Sequence, residues 1–400
     1  MKQRFDIVIA GAGLVGLTMA ARLAQGAGRE SLRITLVDAA PRPSFSVQDD
    51  IALRVSAIAG GSVDLLKSVG AWQQINESRL SPYECMRVWD ETDAPDSPSA
   101  LCFEAAEFAV PQLGFIVENV VLQDALLRQL DAADVELRFE SRIRSLEADG
   151  SQYAIEFEDG IKRSADLIIG ADGSRSFVRE AVGIEARQWP FDQTAFVTHL
   201  TPQHDHQATA WQCFLRDGPL GMLPLANGDI SVVWSTRPDV ASRALDATDE
   251  ELGEMLTEAS DYLLGTLSVN GPRGAFPLGA QHAERYAMPG VVLIGDAAHA
   301  IHPLAGQGAN LGLQDVECLA GVLETAMQQG LHPGDLPVLR RYERARKGAN
   351  STMLHFTAGL NRLFTTDSRL VTELRIMGMR MFNRSGPIRE RAVKVALGVN

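Results

Sequence analysis

A chain of 400 residues with 46% hydrophobic and 22% charged side chains has an ordinary globular composition, long enough for two or three domains. Its net charge of −14 argues against a general nucleic-acid binder. The charge is uneven: residues 337–400 hold 13 Arg and Lys against 4 Asp and Glu, and the remainder holds 24 against 47.

The chain opens on a buried strand, Phe5–Ala10. Gly11-Ala12-Gly13-Leu14-Val15-Gly16 follows, then a helix from Leu17 to about Gln25, then a strand, Arg33–Val37, that ends at Asp38. Strand, GxGxxG, helix, strand, acid is the order of a dinucleotide-binding unit. Gly11 permits the tight turn, Gly13 lets the backbone approach a pyrophosphate, and Gly16 lets the helix pack on the sheet. Asp38 can accept the two ribose hydroxyls of an adenosine. An acid there favours FAD or NAD over NADP, whose extra phosphate it would repel. The motif does not separate FAD from NAD.

Asp49–Ile58 alternates in polarity, and Arg54 within it reads as a cation for phosphate or flavin, or as a surface arginine. A short helix, Gly61–Val69, a strand, Tyr83–Trp89, and a polar turn, Asp90–Ser99, come next. Val120–Ala133 is a helix with an apolar face at Val121, Leu122, Ala125, Leu126 and Leu130. Gln123 and Arg128 on it touch cofactor or face solvent. Glu136–Phe139, Ile143–Ala148 and Tyr153–Phe157 read as strands before the hairpin signal Asp159-Gly160. Arg163–Ile169 then runs as one strand into Gly170-Ala171-Asp172-Gly173-Ser174-Arg175-Ser176. Again a strand delivers an acid into a glycine corner. Asp172 can cap amides and bind sugar hydroxyls, and Arg175 can meet a phosphate or pair with Glu180. A purely structural corner is the other reading.

Ala195–His199, Thr209–Leu215, Leu220–Pro224 and Ile230–Ser235 read as antiparallel strands carrying Trp211, Phe214, Met222, Leu223, Val233 and Trp234. One face of that sheet covers an apolar ligand, or the aromatics fill its own core. An acidic helix, Thr248–Glu258, follows. Gly274–Pro277 and Arg285–Pro289 return the chain to the first domain and to its third motif, Gly290–Gly312. There the strand Val291–Ile294 leads to Gly295 and Asp296, a loop with Pro303, Gly306, Gln307 and Gly308, and a helix, Ala309–Met327. An acid on a strand end, followed by a helix N-terminus wrapped in glycines, is a place to hold an anionic or electron-rich ring. Helical segments follow at Pro337–Lys347, Ser351–Phe364, Arg369–Phe382 and Ile388–Leu397. The third carries Leu370, Leu374, Ile376, Met377, Met379 and Met381, a run that grips a partner, lies on a membrane surface or packs on the body.

Cys85, Cys102, Cys213 and Cys318 make no CxxC pair, the histidines make no HExxH, and no metal is expected. No apolar run is long enough for a membrane span, and the start reads as a buried strand rather than a signal segment. A cytoplasmic protein, or one peripheral on an inner membrane, is expected. The expected fold is α/β. A Rossmann-like nucleotide domain is built from residues 1–78, 101–180 and 274–336. Residues 79–100 make an excursion to a substrate domain, 181–273 form an inserted antiparallel sheet, and 337–400 form a C-terminal helical region.

As a set, GxGxxG, GADGxxSxVR and GDAAHxxxPxxGQGxNxG resemble the single-component FAD-dependent aromatic hydroxylases of the para-hydroxybenzoate hydroxylase type. Within them the chain is similar to the ubiquinone-biosynthesis hydroxylases of the UbiH, UbiF and UbiI type. The words that carry this are LRVSAI at Leu53–Ile58, GFIVENVVLQDAL at Gly114–Leu126, IHPLAGQGANLG at Ile301–Gly312 and LRRYERARK at Leu339–Lys347. Trp211–Phe214, Asp217–Pro219 and Leu223–Leu225 point to the members that act at ring C6 of a demethoxyubiquinol-type substrate; C5, C1 and a soluble small phenol are the alternatives.

The resemblance implies bound FAD, with NADPH or NADH as electron donor. Gly11, Gly13 and Gly16 would hold the pyrophosphate and Asp38 the ribose, where the family more often has Glu. Arg54, Gln123 and Arg128 would approach the phosphates and ribityl chain. Asp172 would support the site, and Asp296 would meet the ribityl or phosphate region. Pro303 and Gly306, Gln307, Gly308, Ala309 and Asn310 would lie beside the isoalloxazine. Pro303 and His302 are the candidate catalytic residues of the flavin-side loop, with a structural histidine as the alternative for His302 and for His299. The reduced flavin takes up O2 and passes one oxygen atom to an electron-rich ring. The implied partner is a polyprenylated phenol or quinol lipid, which brings with it a membrane surface met by Arg375, Arg380, Arg384 and Arg389. A homodimer and a ubiquinone-biosynthesis complex are further expectations. An isoprenoid reductase and a quinone-binding subunit without catalysis are the competing classes.

Overall fold

The computed structural model describes residues 4–302, 304–366 and 368–398. Two sheets organise the chain. The first has six strands in the order Ala287–Met288, Val291–Leu293, Leu167–Gly170, Phe5–Ala10, Leu32–Val37 and Val135–Arg138. Its five longer strands are parallel, and Ala287–Met288 is antiparallel. Ile7, Ile9, Leu36, Ile168 and Val292 are almost fully buried, as strands covered on both faces require.

The helix Leu14–Gln25 packs close against this sheet. A Cβ on Gly16 would lie 1.9 Å from the Gly11 carbonyl oxygen, and one on Gly11 (φ +105°) would lie 2.3 Å from that of Ala171. The helix begins at Leu14 rather than Leu17, because Gly13 is already its N-cap.

The second sheet runs His299–Ala300, Gly274–Ala283, Ala186–Pro202, Ile230–Thr236, Gly218–Pro224, Thr209–Leu215, Cys85–Asp90 and Leu101–Glu104, with Leu267–Val269 on the end of Ala186–Pro202. It is antiparallel except where Thr209–Leu215 meets Cys85–Asp90 in parallel. The excursion therefore extends past residue 100, because Leu101–Glu104 forms the free edge of this sheet. Gly274–Ala283 also belongs to it and not to the nucleotide sheet. The pairing of His299 and Ala300 with His282 and Gln281 ties the sheet to the third motif.

Three further readings are corrected. Arg163–Ile169 is two strands, Lys162–Ala165 and Leu167–Gly170, in different sheets. Asp166 divides them, its carboxylate accepting from the Asp6 amide at 2.7 Å and Gln152 Nε2 at 2.9 Å. A helix at Pro238–Asp246, begun by a proline, was not anticipated. The two segments expected at 337–364 are one 30-residue helix, Leu336–Thr365. It continues through Gly348–Ser351 because the Asn350 side chain is engaged, its amide donating to Asp315 Oδ1 at 3.1 Å.

Helices Arg369–Asn383 and Pro387–Leu397 complete a C-terminal arm. Among the described residues no helix is long and apolar enough to cross a membrane. Arg375 does not face outward as expected. It is 7% exposed and pairs with buried Asp90 at 2.6 Å. Arg389 is also drawn inward, onto Glu107 at 2.7 Å and over the Phe103 ring.

Candidate active site

Strands Phe5–Ala10, Leu167–Gly170 and Val291–Leu293 are neighbours in the parallel sheet, and each runs into one of the three motifs. The topology thus sets three glycine corners side by side at the carboxyl edge of the sheet, where α/β sheets hold ligands. There a cavity of about 1300 Å³ extends from Gly11, Gly13 and Asp38 past Asp172 and Asp296 to the face of the second sheet.

At the nucleotide end, a Cβ on Gly13 would meet nothing within 4 Å, so the space over this backbone is open. Gly13 heads the helix Leu14–Gln25 with no side-chain cap. Bare amides with a helix dipole behind them suit a diphosphate. Asp38 Oδ2 accepts from the Ala12 amide at 2.6 Å and Oδ1 from the Ala40 amide at 2.7 Å. The acid thereby shapes the glycine loop as well as facing the cavity. Gln123 reaches the same loop, donating to the Ala12 carbonyl at 3.0 Å. Arg128 does not join them: it is exposed, away from the cavity lining, and pairs with Asp124 at 2.8 Å.

In the middle of the cavity, Asp172 accepts from Ser176 Oγ at 2.5 Å and the Val178 amide at 3.0 Å, capping the helix Phe177–Ala181. Burial raises its pKa, against these bonds. Arg175 lines the cavity and makes no ion pair with Glu180 among the described residues. Asp296 is open to the cavity yet deep among protein atoms. Burial raises its pKa, while the charges of His299 and Arg54 oppose the shift. Arg54 also lines the cavity.

Gly306, Gly308 and Ala309 line the far end, where Gly306 (φ +62°) heads the helix Gln307–Gln328. Nothing lies within 4 Å of a Cβ on Gly308. Gln307 begins the helix but is not on the cavity wall. The Asn310 side chain is occupied elsewhere. Its Oδ1 accepts from the Ala59 amide and Ser62 Oγ, and its Nδ2 donates to the carbonyls of Ala57 and Gly306. It fastens the loop and leaves only its backbone for a ligand. Pro303 lies outside the described residues.

His302 is 1% exposed and does not line the cavity. Its Nε2 meets Gln193 Oε1 at 3.2 Å, and Asn361 Nδ2 donates to the same oxygen at 2.9 Å. Burial pushes its pKa down to about 4. This is a neutral, packed histidine that ties the loop of the third motif to the second sheet and the long helix.

Three residues that support the site had no role in the sequence reading. Arg179, 3% exposed, donates to the carbonyls of Ala297 and Ser174 and clamps the second motif to the third. Asp315 is fully buried and accepts from the Gly295 amide, His299 Nε2 (2.5 Å), Arg346 Nε (2.7 Å) and Asn350 Nδ2. Burial alone would raise its pKa; His299 and Arg346 outweigh it and hold the carboxyl low. Arg346 stands in LRRYERARK, a word noticed without a function. A lone acid on an apolar helix face was the signal for Asp315.

A sequence model described as an FAD binding domain matches residues 4–357. The chain is 35% identical over 403 residues to the 3-demethoxyubiquinol 3-hydroxylase of Escherichia coli (strain K12), with 99% of each covered. It belongs to the FAD-dependent ubiquinone-biosynthesis monooxygenases. The monooxygenase is also 34% identical over 438 residues to the mitochondrial ubiquinone biosynthesis monooxygenase COQ6 of Xenopus tropicalis, covering 98% of this chain and 93% of the relative. HpxO from Klebsiella pneumoniae, solved with FAD and uric acid, shares its fold at a TM-score of 0.73 and 18% identity, covering 98% and 96% of the two chains. FAD is the cofactor of the monooxygenase, and the open glycine cradle with Asp38 beside it fits that group.

Proposed function

We propose that this monooxygenase hydroxylates the ring of a polyprenylated phenol or quinol on the route to ubiquinone, at C6 of a demethoxyubiquinol-type ring. NADPH or NADH supplies two electrons. One atom of O2 enters the ring, the other leaves as water, and the nicotinamide is oxidised. Bound FAD supplies the redox chemistry and activates O2.

The observation that carries this reading is the apolar lining of the cavity on the side of the second sheet. Tyr83, Met86, Trp211, Leu223 and Val233 form it, with Gln212 and Ser235 as uncharged polar groups. The second sheet contributes no cation to the lining among the described residues; Arg54, next to the strand Val55–Ala59, lines the same cavity with its guanidinium 5.9 Å from the centre of the Phe276 ring. A small phenolic acid needs a charged partner for its carboxylate; a neutral ring with an apolar tail does not. The E. coli relative is named for a demethoxyubiquinol substrate, which supports the choice of ring.

The chain's own contribution is placement. The helix N-terminus at Gly306–Ala309 offers amides for negative charge on the flavin ring. The apolar wall excludes water and holds the substrate ring near the loop. His302, neutral and packed, fixes the loop rather than moving a proton.

Mass spectrometry of quinones from a strain lacking the gene tests the reading. Accumulation of a lipid one ring oxygen short, bearing the methyl and first methoxy groups but no C6 hydroxyl, is the expected result. A lipid lacking the C5 or C1 oxygen would move the reaction to that carbon. A normal quinone profile, with purified enzyme turning over small phenols, would sink the lipid reading.

A further inference from the structure

Half of the large apolar side chains left exposed among the described residues lie between Phe356 and Ile388. Leu370, Leu374, Met377 and Met381 are 66%, 52%, 52% and 65% exposed. They follow at steps of four, three and four along the helix Arg369–Asn383 and so form one stripe. By helical geometry Arg369, Arg380 and Arg384 run along one flank of it, all three exposed, with Glu373 among them paired to Arg369 at 3.2 Å. Arg384, and Arg391 on the next helix, make no ion pair among the described residues.

The opposite face of the arm is fixed to the body. Arg375 pairs with Asp90. Asn383 donates to the Ala100 carbonyl and Arg389 to that of Cys102, covering the free edge of the second sheet. Met379 and Phe364 pack with Leu304 and Met86, and Val393 packs with Tyr83 and Ala210. Met86, Leu304, Tyr83 and Ala210 all line the cavity. One face of the arm therefore backs the wall of the substrate cavity, and the other is an apolar stripe beside arginines.

We propose that this outer stripe docks the enzyme on an anionic lipid bilayer, so that a membrane-borne substrate reaches the cavity beside the arm. The choice of occupant rests on charge and on the lipid-substrate reading above. Residues 369–397 carry seven Arg and Lys against two Asp and Glu, an excess of five positive charges, on a remainder with an excess of 19 negative ones, so an anionic surface attracts the arm and repels the rest. Leu and Met enter the acyl boundary while arginine side chains extend to phosphates. A second copy packed by twofold symmetry would set this stripe and its arginines against themselves.

The test uses the FAD-loaded full chain, sedimented with vesicles of phosphatidylcholine alone or mixed with phosphatidylglycerol. Sedimentation with the mixed vesicles is expected, with about tenfold less binding to neutral vesicles and in the triple variant Leu374→Ser, Met377→Ser, Met381→Ser. That variant should keep its flavin and its melting temperature, because the three side chains already face water. Equal sedimentation of variant and wild type would overturn the proposal, as would no sedimentation of either. So would a dimer, seen by sedimentation velocity without vesicles, that the triple variant breaks. Turnover of a short-tailed quinol in detergent judges the substrate reading separately, because vesicle binding needs no turnover.

Discussion

Two glycines of one motif do opposite jobs, and their variants should separate. A side chain at Gly16 would strike the Gly11 carbonyl at 1.9 Å, whereas one at Gly13 would meet only open space at the cavity. Gly16→Ala is therefore expected to destabilise the fold by about 1–3 kcal/mol through overpacking. Gly13→Val should leave the melting temperature near that of wild type and lower the ratio of bound flavin to protein at least about tenfold, by filling the pyrophosphate approach. Flavin absorbance and thermal melts on both proteins decide this. Equal flavin content in wild type and Gly13→Val would mean that the cradle does not hold the cofactor. A second residue-level expectation concerns acid. His302 has a pKa of about 4 in the fold, below the ordinary histidine value, so the unfolded chain takes up a proton first as pH falls. Its depressed pKa therefore leaves stability unchanged near neutral pH and removes it between about pH 6.5 and 4. His302→Asn should flatten that acid limb in melting temperature against pH; an unchanged slope would count against it.

Buried charge joins the elements around the flavin-side loop. Asp315 lies on the helix Gln307–Gln328, His299 on the last strand of the second sheet, and Arg346 on the long helix Leu336–Thr365. Removing Arg346 leaves Asp315, 0% exposed, with its charge less compensated. Arg346→Gln should cost about 3–5 kcal/mol and shift the absorption of bound flavin, because Asp315 also holds the Gly295 amide. Chemical denaturation and the flavin spectrum check both; an unshifted spectrum would reduce Arg346 to a structural role. The same network marks the limit of what could be read in advance. The three glycine corners were legible, since each needs a backbone that only glycine supplies at a close approach or positive φ. The partners behind them were not: Arg179 closes the GADGxxSxVR word, but its bond to the Ala297 carbonyl, like the pairing of Asp315 with Arg346, joins segments far apart in the chain, and pairing at such distance leaves no local period. Gly348–Ser351 looked like a helix end because propensity is local, while Asn350 bonding to Asp315 is tertiary. Asn310 and His302 stood in the right motif, yet both side chains turn into protein and away from the cavity. Position in a motif did not reveal direction.

At the scale of the whole molecule, the arm is held by a few strong contacts rather than by a large core. Asp90 and Arg375 pair at 2.6 Å, at side-chain exposures of 1% and 5%. Arg375 also donates to the carbonyls of Leu363 and Phe364 and lies over the Phe364 ring, which stacks on Phe214 at 3.8 Å. Asp90→Ala strands a buried guanidinium, whereas Asp90→Ala combined with Arg375→Met removes both charges and keeps apolar volume. The single variant should loosen the arm more than the double one. Limited proteolysis should then cut the arm fastest in Asp90→Ala, with the double variant closer to wild type. Flavin content should hold in both, because the three glycine corners lie on other strands. Coupling should not hold: Met379 and Phe364 back Leu304 and Met86 at the cavity wall, so a loosened arm admits water. More of the NAD(P)H consumed should then appear as hydrogen peroxide and less as hydroxylated ring. Peroxide yield per NAD(P)H oxidised, measured across the three proteins, should rise in the order of their proteolysis rates. A flat yield across that series would mean the arm closes no part of the reaction chamber and serves only the surface it presents outward.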